Sequence, residues 1–316
     1  MSVHATATNT VVTAGDVNYL WGLFLLIASM RKTGMNEPVI VGTKGFTPTA
    51  TRVLEQLGNV SFYSLDNADH SLTCHKAQVM LQAQTEYVTW ADSDAMFHGN
   101  CSDRLPPLAP DVIHVRRRSR PEMAGAFPAP YNLDEILKHW QNDVVRMSGR
   151  PARQEATSSL REQFLSVSAC YLSVARAQET FLTCWDRMMM EILPRGDAGV
   201  VDRSLQYYHQ LDESCLNACL TFQEGAPQVA DTYRLNKDPD AFYIHFVGRP
   251  KPWVGWVPSS VRHFDRVLDV VEWAQAEHLE LPGPIPYSLV RSHRTMCRLM
   301  ARPLELRTKI KNRLGI

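Results

Sequence analysis

The sequence lacks several features that would point to a particular class of protein. It carries no net charge, because 33 lysines and arginines balance 33 aspartates and glutamates. Overall electrostatics therefore gives no reason to expect nucleic-acid binding, which normally requires a basic surface. The seven cysteines include no Cys-x-x-Cys pair, so neither a zinc knuckle nor a disulfide framework is indicated. A reducing, cytosolic compartment is predicted.

The chain also lacks an apolar run long enough to cross a bilayer. The longest run, Tyr19 to Met30, is too short and ends in Arg31 and Lys32. It predicts a buried amphipathic helix. The first ten residues are polar and do not resemble a secretory signal. We expect a soluble, cytoplasmic protein whose contact with a membrane, if it makes one, is peripheral and at the inner face.

What the sequence does contain is an alternation of short apolar runs with helical patterns. Strands are predicted at 10–14, 38–42, 60–65 and 87–91, and helices between them at 19–32, 48–57 and 75–84. Such alternation indicates βαβ units, hence an α/β fold with a mostly parallel sheet flanked by helices. Ligands of these sheets bind beyond the carboxyl ends of the strands. Chemistry is therefore expected just after residues 14 and 91.

The second half of the chain predicts fewer strands. The proline-rich stretch at about 105–165 is interpreted as an insertion or lid, and 1–286 as one domain. Later strands are predicted at 169–174 and 242–247. Helices are predicted at 133–147, 178–192, 212–222 and 259–280.

The last segment, 287–316, predicts a basic amphipathic helix. From Ser288 onward it contains eight lysines and arginines against a single acid, Glu305, with leucines, isoleucine and methionines between them. Such a helix can rest on an anionic membrane surface. It can equally be a solvated helix whose apolar side packs on the domain.

Two aspartates follow the fourth predicted strand as Asp92-Ser93-Asp94. Carboxylates one residue apart at a strand exit can both face a divalent cation that bridges a diphosphate. The alternative is a capped turn. A second Asp-x-Asp, at 238–240, has a proline at its centre and no apolar strand before it, which is typical of a solvated loop.

A second motif, His245 to Trp253, reads His-Phe-Val-Gly-Arg-Pro-Lys-Pro-Trp and follows an aromatic strand. Gly248 allows close approach of the backbone to a ligand, and Lys251 can place a point charge on a phosphate. His245 could complete a metal site, although a single histidine at a strand end is more often structural.

The motifs together resemble those of the retaining glycosyltransferases of family 8, which include bacterial lipopolysaccharide galactosyl- and glucosyltransferases and glycogenin. In that family an Asp-x-Asn-Tyr follows the first strand, an Asp-x-Asp the fourth, and a His-x-x-Gly-x-x-Lys-Pro-Trp closes the donor site. This chain has Asp16-Val17-Asn18-Tyr19, Asp92-Ser93-Asp94 and the 245–253 string in the same order.

The resemblance implies a GT-A (Rossmann-like) fold, a UDP-linked sugar donor and Mn²⁺, or Mg²⁺ in its place. It implies three metal ligands, namely Asp92, Asp94 and His245. Asp16 and Tyr19 would hold the base of the donor. Gly248 and Lys251 would hold its diphosphate. Lys76 corresponds more loosely to a basic residue that contacts the donor in such enzymes, and an ordinary surface lysine is the alternative.

This chain departs from the family where Asp-Gln-Asp-x-Leu-Asn is common, since it has Asp212-Glu213-Ser214-Cys215-Leu216-Asn217. The resemblance makes Asp212 a candidate contact of the donor sugar. A carboxylate at Glu213 could stabilise an oxocarbenium-like transition state or attack it. As a base it would instead allow inversion, and the alternative is a solvated acid at a helix start. Residues 164–173 lack the family's asparagine and glycine, so no acceptor contacts are predicted.

The predicted function is transfer of a hexose-type sugar from a UDP-sugar to a glycan or glycolipid, as in lipopolysaccharide assembly, with retention of configuration. Residues 288–316 are a candidate membrane contact. One alternative is a metal-dependent sugar-phosphate nucleotidyltransferase, which normally has an early glycine-rich phosphate loop, whereas this chain offers only Gly15 there. The other is a non-catalytic sugar-nucleotide-binding protein.

Overall fold

A computed structural model describes residues 8–117, 132–153, 167–196, 202, 204–231 and 241–303. Several parts of the sequence that entered the predictions lie outside these residues. They are residues 1–7, the segments 118–131 and 154–166 in and beside the stretch interpreted as an insertion, the second Asp-x-Asp at 238–240, and the end of the basic segment from 304 onward.

The described residues build a seven-stranded mixed sheet with the order β3-β2-β1-β4-β7-β6-β8. Its strands are β1 (Asn9–Asp16), β2 (Val39–Lys44), β3 (Val60–Ser64), β4 (Tyr87–Ala91), β6 (Val112–Arg117), β7 (Val167–Ala175) and β8 (Gln228–Asp231). β7 runs antiparallel to both of its neighbours, and the other strands are mutually parallel. Two short strands, β5 (Ala95–Phe97) and β9 (Tyr243–His245), pair separately. The predicted α/β class with a mostly parallel sheet is confirmed.

Helices cover both faces of the sheet. They are α1 (Leu20–Lys32), α2 (Pro48–Glu55), α3 (Lys76–Met80), α4 (Leu133–Ser148), α5 (Glu179–Ile192), α6 (Asp212–Phe222) and α7 (Phe264–Ala276). One core packs α1, α2, α7 and the β5–β9 pair against one face of the sheet. The other core packs the four helices α3, α4, α5 and α6 against the opposite face. Every α1 residue from Gly22 to Met30 is buried, so this helix is enclosed on nearly all sides rather than on one amphipathic face.

Several elements differ from the sequence predictions. β5, β6 and β8 were not predicted, and β6 lies inside the stretch that we interpreted as an insertion. The helix predicted at 75–84 is regular only over Lys76–Met80, and that predicted at 259–280 only over Phe264–Ala276. Two helices begin with side-chain caps: Thr47 caps α2, which starts with Pro48, and Asn132 caps α4.

The basic C-terminal segment packs on α7 through ion pairs. Arg291 donates to Glu272 at 2.6 and 2.8 Å and to Asp269 at 2.8 Å, and Arg294 contacts Asp265. Residues 294–303 are helical. Part of the predicted basic face is therefore bound to the protein's own acids. Among the described residues, none of the helices combines the length and the apolar composition needed to cross a membrane.

Candidate active site

The aspartate motif and the His245 strand meet because β5 and β9 pair beyond the end of the main sheet. β4 ends directly before Asp92. In the β5–β9 pair, Ala95 lies opposite His245, and the Phe246 amide donates to the Asp94 carbonyl at 2.8 Å. This antiparallel register holds two segments 150 residues apart in sequence against each other.

Asp92, Asp94 and His245 form a group of potential metal ligands. One side-chain donor atom from each residue lies within 4.8 Å of the other two. His245 Nε2 is 3.1 Å from an Asp94 oxygen and 3.7 Å from an Asp92 oxygen. Two carboxylates suit Mn²⁺ or Mg²⁺, and an imidazole is a ligand that transition ions accept, so the donor set fits Mn²⁺.

Lys76 is part of this site rather than an ordinary surface lysine. It is only 4% exposed. Its ammonium donates to an Asp92 oxygen at 2.9 Å and to the Ala169 carbonyl at 2.9 Å, and it lies 3.0 Å from an Asp212 oxygen. Because three acceptors surround it, its charge is compensated despite burial, and it ties two acidic side chains together.

Lys251 holds the other aspartate. Its ammonium contacts the Asp94 carboxylate and donates to the Phe246 carbonyl at 2.8 Å. Gly248 adopts φ of +92°, a conformation that favours glycine, and it bends the loop between His245 and Lys251. The turn brings the lysine back over the end of the strand that carries the histidine.

The protonation equilibria follow from these contacts. For Asp94, burial opposes ionisation, but His245 and Lys251 outweigh it and hold the pKa of the carboxyl well below its usual range. For His245, burial opposes the charge, but Asp94 and Cys170 outweigh it and raise the pKa of the imidazole. Burial raises the pKa of Asp212 to about 6, against the attraction of Lys76.

Asp212 and Glu213 begin α6 at the edge of the same site. Leu211, just before them, has φ of +49°, which turns the chain sharply into the helix. Glu213 Oε2 accepts from the Ala169 amide at 3.2 Å, and the carbonyl of Ala169 is an acceptor of the Lys76 ammonium. Both predicted catalytic acids therefore lie close to the Lys76 ammonium and its partners.

Asp16 is used locally, as the cap of the turn after β1. Its carboxylate accepts from the amides of Asn18 and Tyr19 at 2.9 and 3.1 Å and from the Asn18 side chain at 3.1 Å. The cap fixes the Asp-x-Asn-Tyr segment in one conformation. Among the described residues, Asp16 makes no hydrogen bond or ion pair with Asp92, Asp94 or His245.

Gly22 is the point where all three motifs meet. A Cβ atom there would overlap the Ser93 carbonyl oxygen and the Trp253 ring. The Trp253 ring also packs edge-on against Tyr19, with ring centroids 5.8 Å apart. Only glycine permits this approach, so α1 aligns the first motif with the other two.

Three further residues position the aspartates and were missed by sequence reasoning. The Asp92 amide donates to the Tyr243 hydroxyl at 3.0 Å and to the Cys170 carbonyl at 3.1 Å, and Trp90 Nε1 donates to an Asp92 oxygen at 2.8 Å. The indole, two residues before the carboxylate on β4, was detectable in principle. The other two come from distant strands and leave no local signal.

Comparison with known proteins identifies the fold. No model of a protein family and no curated protein sequence matches the chain. Among solved structures, the apo form of the bifunctional glycosyltransferase WbbM matches with a TM-score of 0.51 and 13% identity over 92% of this chain and 52% of that one. The glycosyltransferase GlyE of Streptococcus pneumoniae TIGR4 matches with a TM-score of 0.52 and 12% identity over 88% of this chain and 66% of that one.

The chain thus spans about half the length of WbbM and just under two thirds of GlyE. At identities this low the likeness establishes the fold and not the reaction. The GT-A fold that the motifs implied is confirmed. The resemblance of the motifs to glycosyltransferases of family 8 is likewise confirmed at the level of the fold.

Proposed function

We propose that the chain is a metal-dependent glycosyltransferase that moves a hexose-type sugar from a UDP-sugar to a glycan or glycolipid, with retention of anomeric configuration. The observation that carries the proposal is the convergence of Asp92, Asp94 and His245, flanked by two lysines, at the end of a GT-A sheet. A fold shared with WbbM and GlyE, both named glycosyltransferases, supports it.

Asp92, Asp94 and His245 would hold the cation, Mn²⁺ or Mg²⁺. When bound, the cation supplies Lewis-acid stabilisation of the charge that builds on the departing diphosphate. The protein's own contribution is to hold the three ligands together. Tyr243, Trp90 and the β5–β9 register fix their positions before any ligand arrives.

The donor would bind across the ends of β1 and β9. Lys251 lies within contact of Asp94, so a small movement of its flexible stem would place the ammonium on a phosphate oxygen. Gly248, with no side chain, leaves the backbone beside it open to the diphosphate. Asp16 and Tyr19, on the ordered turn after β1, would hold the uracil base.

The sugar would lie over the pocket of Lys76, Asp212 and Glu213. As the bond from C1 to the phosphate oxygen breaks, its electron pair leaves with the diphosphate and positive charge develops at C1. Glu213, whose carboxylate is held against the Ala169 amide, would stabilise that charge, and Asp212 would bind a sugar hydroxyl. If the reaction inverted the configuration, Glu213 would act as a base instead. Proton NMR of the product's anomeric centre distinguishes retention from inversion.

The acceptor is proposed to be a glycan or glycolipid reached at a membrane surface. The helical residues 294–303 expose Met296, Leu299 and Met300, while Arg298 and Arg302 are exposed beside them. Apolar side chains between arginines are typical of helices that rest on anionic lipid. This proposal places the protein at the inner membrane face.

The test of the transferase proposal is turnover of UDP-hexoses, followed as UDP release with and without Mn²⁺. Asp94→Ala should abolish measurable turnover, a loss of at least about 10²- to 10³-fold, because one charged ligand of the leaving-group cation is gone. Asp238→Ala, in the second Asp-x-Asp, is the matched control and should keep its activity. Normal, still metal-dependent turnover in Asp94→Ala would refute the assignment. Pyrophosphate release from a sugar phosphate and nucleoside triphosphate would favour a nucleotidyltransferase.

A further inference from the structure

A second group of charged side chains lies away from the candidate active site and takes no part in the proposed reaction. Five basic residues meet where α1 ends, where β5 ends and where α7 begins. We call them the basic cluster: Lys32, His98, Arg262, His263 and Arg266.

The fold brings these positions together through β5. The Phe97 amide donates to Ser29 Oγ at 3.0 Å, and Lys32 ends α1 one turn after Ser29. His98, the next residue, donates its amide to the Phe242 carbonyl at 2.7 Å, at the end of the β5–β9 pair that faces away from Asp94. His98 lies four residue steps along an extended strand from Asp94, about 13 Å at roughly 3.3 Å per residue.

The charged side chains that shift the pKa values of His98 and His263 are all basic. Burial lowers the pKa of His98, and Arg266 and Lys32 lower it further. Burial lowers the pKa of His263 to about 4, and Arg262, Arg266 and His98 act in the same direction. Both imidazoles are therefore neutral at pH 7, and each can donate one N–H.

Within the described part of the chain, none of the five side chains has an ion-pair or hydrogen-bond partner. Lys32, His98 and Arg262 are exposed and Arg266 is half-buried. His263 is only 4% exposed, yet its buried Nε2 has no partner. A buried imidazole nitrogen without a partner is costly, so it points to a ligand at this place.

The start of α7 adds a second source of positive potential. A short 3₁₀ turn, Val261–His263, runs directly into this 13-residue helix, and the Phe264 amide donates to the Val261 carbonyl. Arg262 and Arg266, four residues apart, repel each other and the positive end of the helix dipole. The acid of the first turn, Asp265, is occupied by Arg291 and Arg294. An anion would relieve both repulsions.

We propose that the basic cluster and the first turn of α7 form a binding site for a phosphate group, carried either by a lipid headgroup or by free phosphate. Arginine forks bind phosphate oxygens through paired charge-assisted hydrogen bonds, and the positive end of a helix dipole favours a nearby anion. The site is separate from the proposed donor site, and it does not depend on the transferase assignment.

The neighbourhood of the cluster favours the lipid as the source. Arg294 contacts Asp265 between the two arginines of the cluster, and the helical residues that follow expose Met296, Leu299 and Met300. A headgroup in the cluster would therefore lie beside apolar side chains that can enter the acyl region.

The experiment uses the full chain, the double variant Arg262→Gln/Arg266→Gln, and the control Lys138→Gln/Arg150→Gln, which removes two exposed positive charges elsewhere. One arm titrates inorganic phosphate and follows the thermal midpoint. The other measures sedimentation with phosphatidylcholine vesicles that contain phosphatidic acid. Neither arm requires a sugar donor, so failure of the transferase proposal does not affect the result.

We expect phosphate to raise the midpoint of the wild type and the control but not of the double variant. Vesicle partitioning should fall about thirtyfold in the double variant, since each basic residue near an anionic surface contributes about a factor of five. A loss confined to the phosphate arm identifies free phosphate as the ligand, and a loss in the vesicle arm identifies the lipid. Equal behaviour of wild type and double variant in both arms, or an equal loss in the control, would overturn the site. Arg262→Gln alone repeats the test if the double variant does not fold.

Discussion

The candidate active site and the basic cluster hold their charges in opposite ways. In the active site, three acids, Asp92, Asp94 and Asp212, are matched by Lys76, Lys251 and His245 at contact distance. In the basic cluster, Lys32, Arg262 and Arg266 have no acidic partner in the described structure, and the histidines beside them are neutral.

The difference separates a preorganised site from an open one. Paired charges keep a polar pocket folded in the absence of ligands, and a ligand must displace the internal partners. Unpaired charges of one sign add no attraction to the folded state and repel one another, and they are available to a ligand at once. Removing a charge should therefore be costly in the first region and nearly neutral in the second.

The largest effect on stability is expected for Lys76→Met. The variant keeps the side-chain bulk but leaves Asp92 and Asp212 without their shared ammonium, which is 4% exposed in the wild type. The free energy of unfolding should fall by roughly 3–5 kcal/mol, the usual cost of breaking a buried ion pair. Urea unfolding in EDTA measures it. Lys138→Met, at an exposed position, should stay within about 0.5 kcal/mol of the wild type, and an equally small change in Lys76→Met would contradict the pairing.

Lys251→Met should separate metal binding from nucleotide binding. In the free protein the Lys251 ammonium pairs with the Asp94 carboxylate and competes with a cation for it. Removing the ammonium should therefore tighten Mn²⁺ binding about tenfold, which corresponds to the free energy of one charge-assisted hydrogen bond. UDP binding in the presence of Mn²⁺ should weaken, because a phosphate contact is lost. Calorimetry with each ligand measures both changes. Arg249→Gln removes an exposed charge from the same loop and is the control. Weaker Mn²⁺ binding in Lys251→Met would show that the lysine does not compete with the cation.

Asp186 on α5 is an intermediate case, a half-buried acid with one unpartnered oxygen. Burial raises the pKa of Asp186 to about 6. The folded state therefore binds the proton more tightly than the unfolded chain, and stability falls as pH rises from about 4 to about 6. Asp186→Asn should be more stable than the wild type by about 1 kcal/mol at pH 8, after allowance for solvent screening, and equal to it near pH 4. Urea unfolding at both pH values, with the exposed Asp103→Asn as control, checks this. A difference that persists at pH 4 would count against it.

The smallest effect is expected for Arg266→Gln in the basic cluster. No attraction is lost and one repulsion is removed, so the free energy of unfolding should stay the same or rise by up to about 0.5 kcal/mol. Arg291→Gln, which loses contacts with Glu272 and Asp269, should be the less stable of the two. Thermal unfolding in phosphate-free buffer compares them. If Arg266→Gln lost more stability than Arg291→Gln, the claim that charges in the basic cluster are unpaired would be wrong.

Much of the sheet could be predicted because β1 to β4 alternate with helices and end in polar motifs. The position of Asp92 and Asp94 after a buried strand also followed from the pattern. β6 was hidden because it lies in a proline- and arginine-rich stretch. β5 was hidden because three residues carry no periodicity.

The geometry of the site could be predicted only in part, because it depends on pairing between distant segments. The register that puts Ala95 opposite His245 depends on tertiary packing, so no local pattern reveals it. Burial of Lys76 contradicts the usual exposure of lysine in a helix, and only the acids around it explain it. The basic cluster was invisible for the same reason, since its members come from three separate parts of the chain.

The proposed metal site is tested most directly by calorimetric titration of UDP into the wild type and Asp94→Ala, each with Mn²⁺ and with EDTA. We expect the wild type to bind UDP at least about tenfold more tightly with Mn²⁺, since bridging cations contribute several kcal/mol. This metal dependence should disappear in Asp94→Ala. Equal UDP affinity of the wild type in Mn²⁺ and EDTA would contradict a cation held by Asp92, Asp94 and His245.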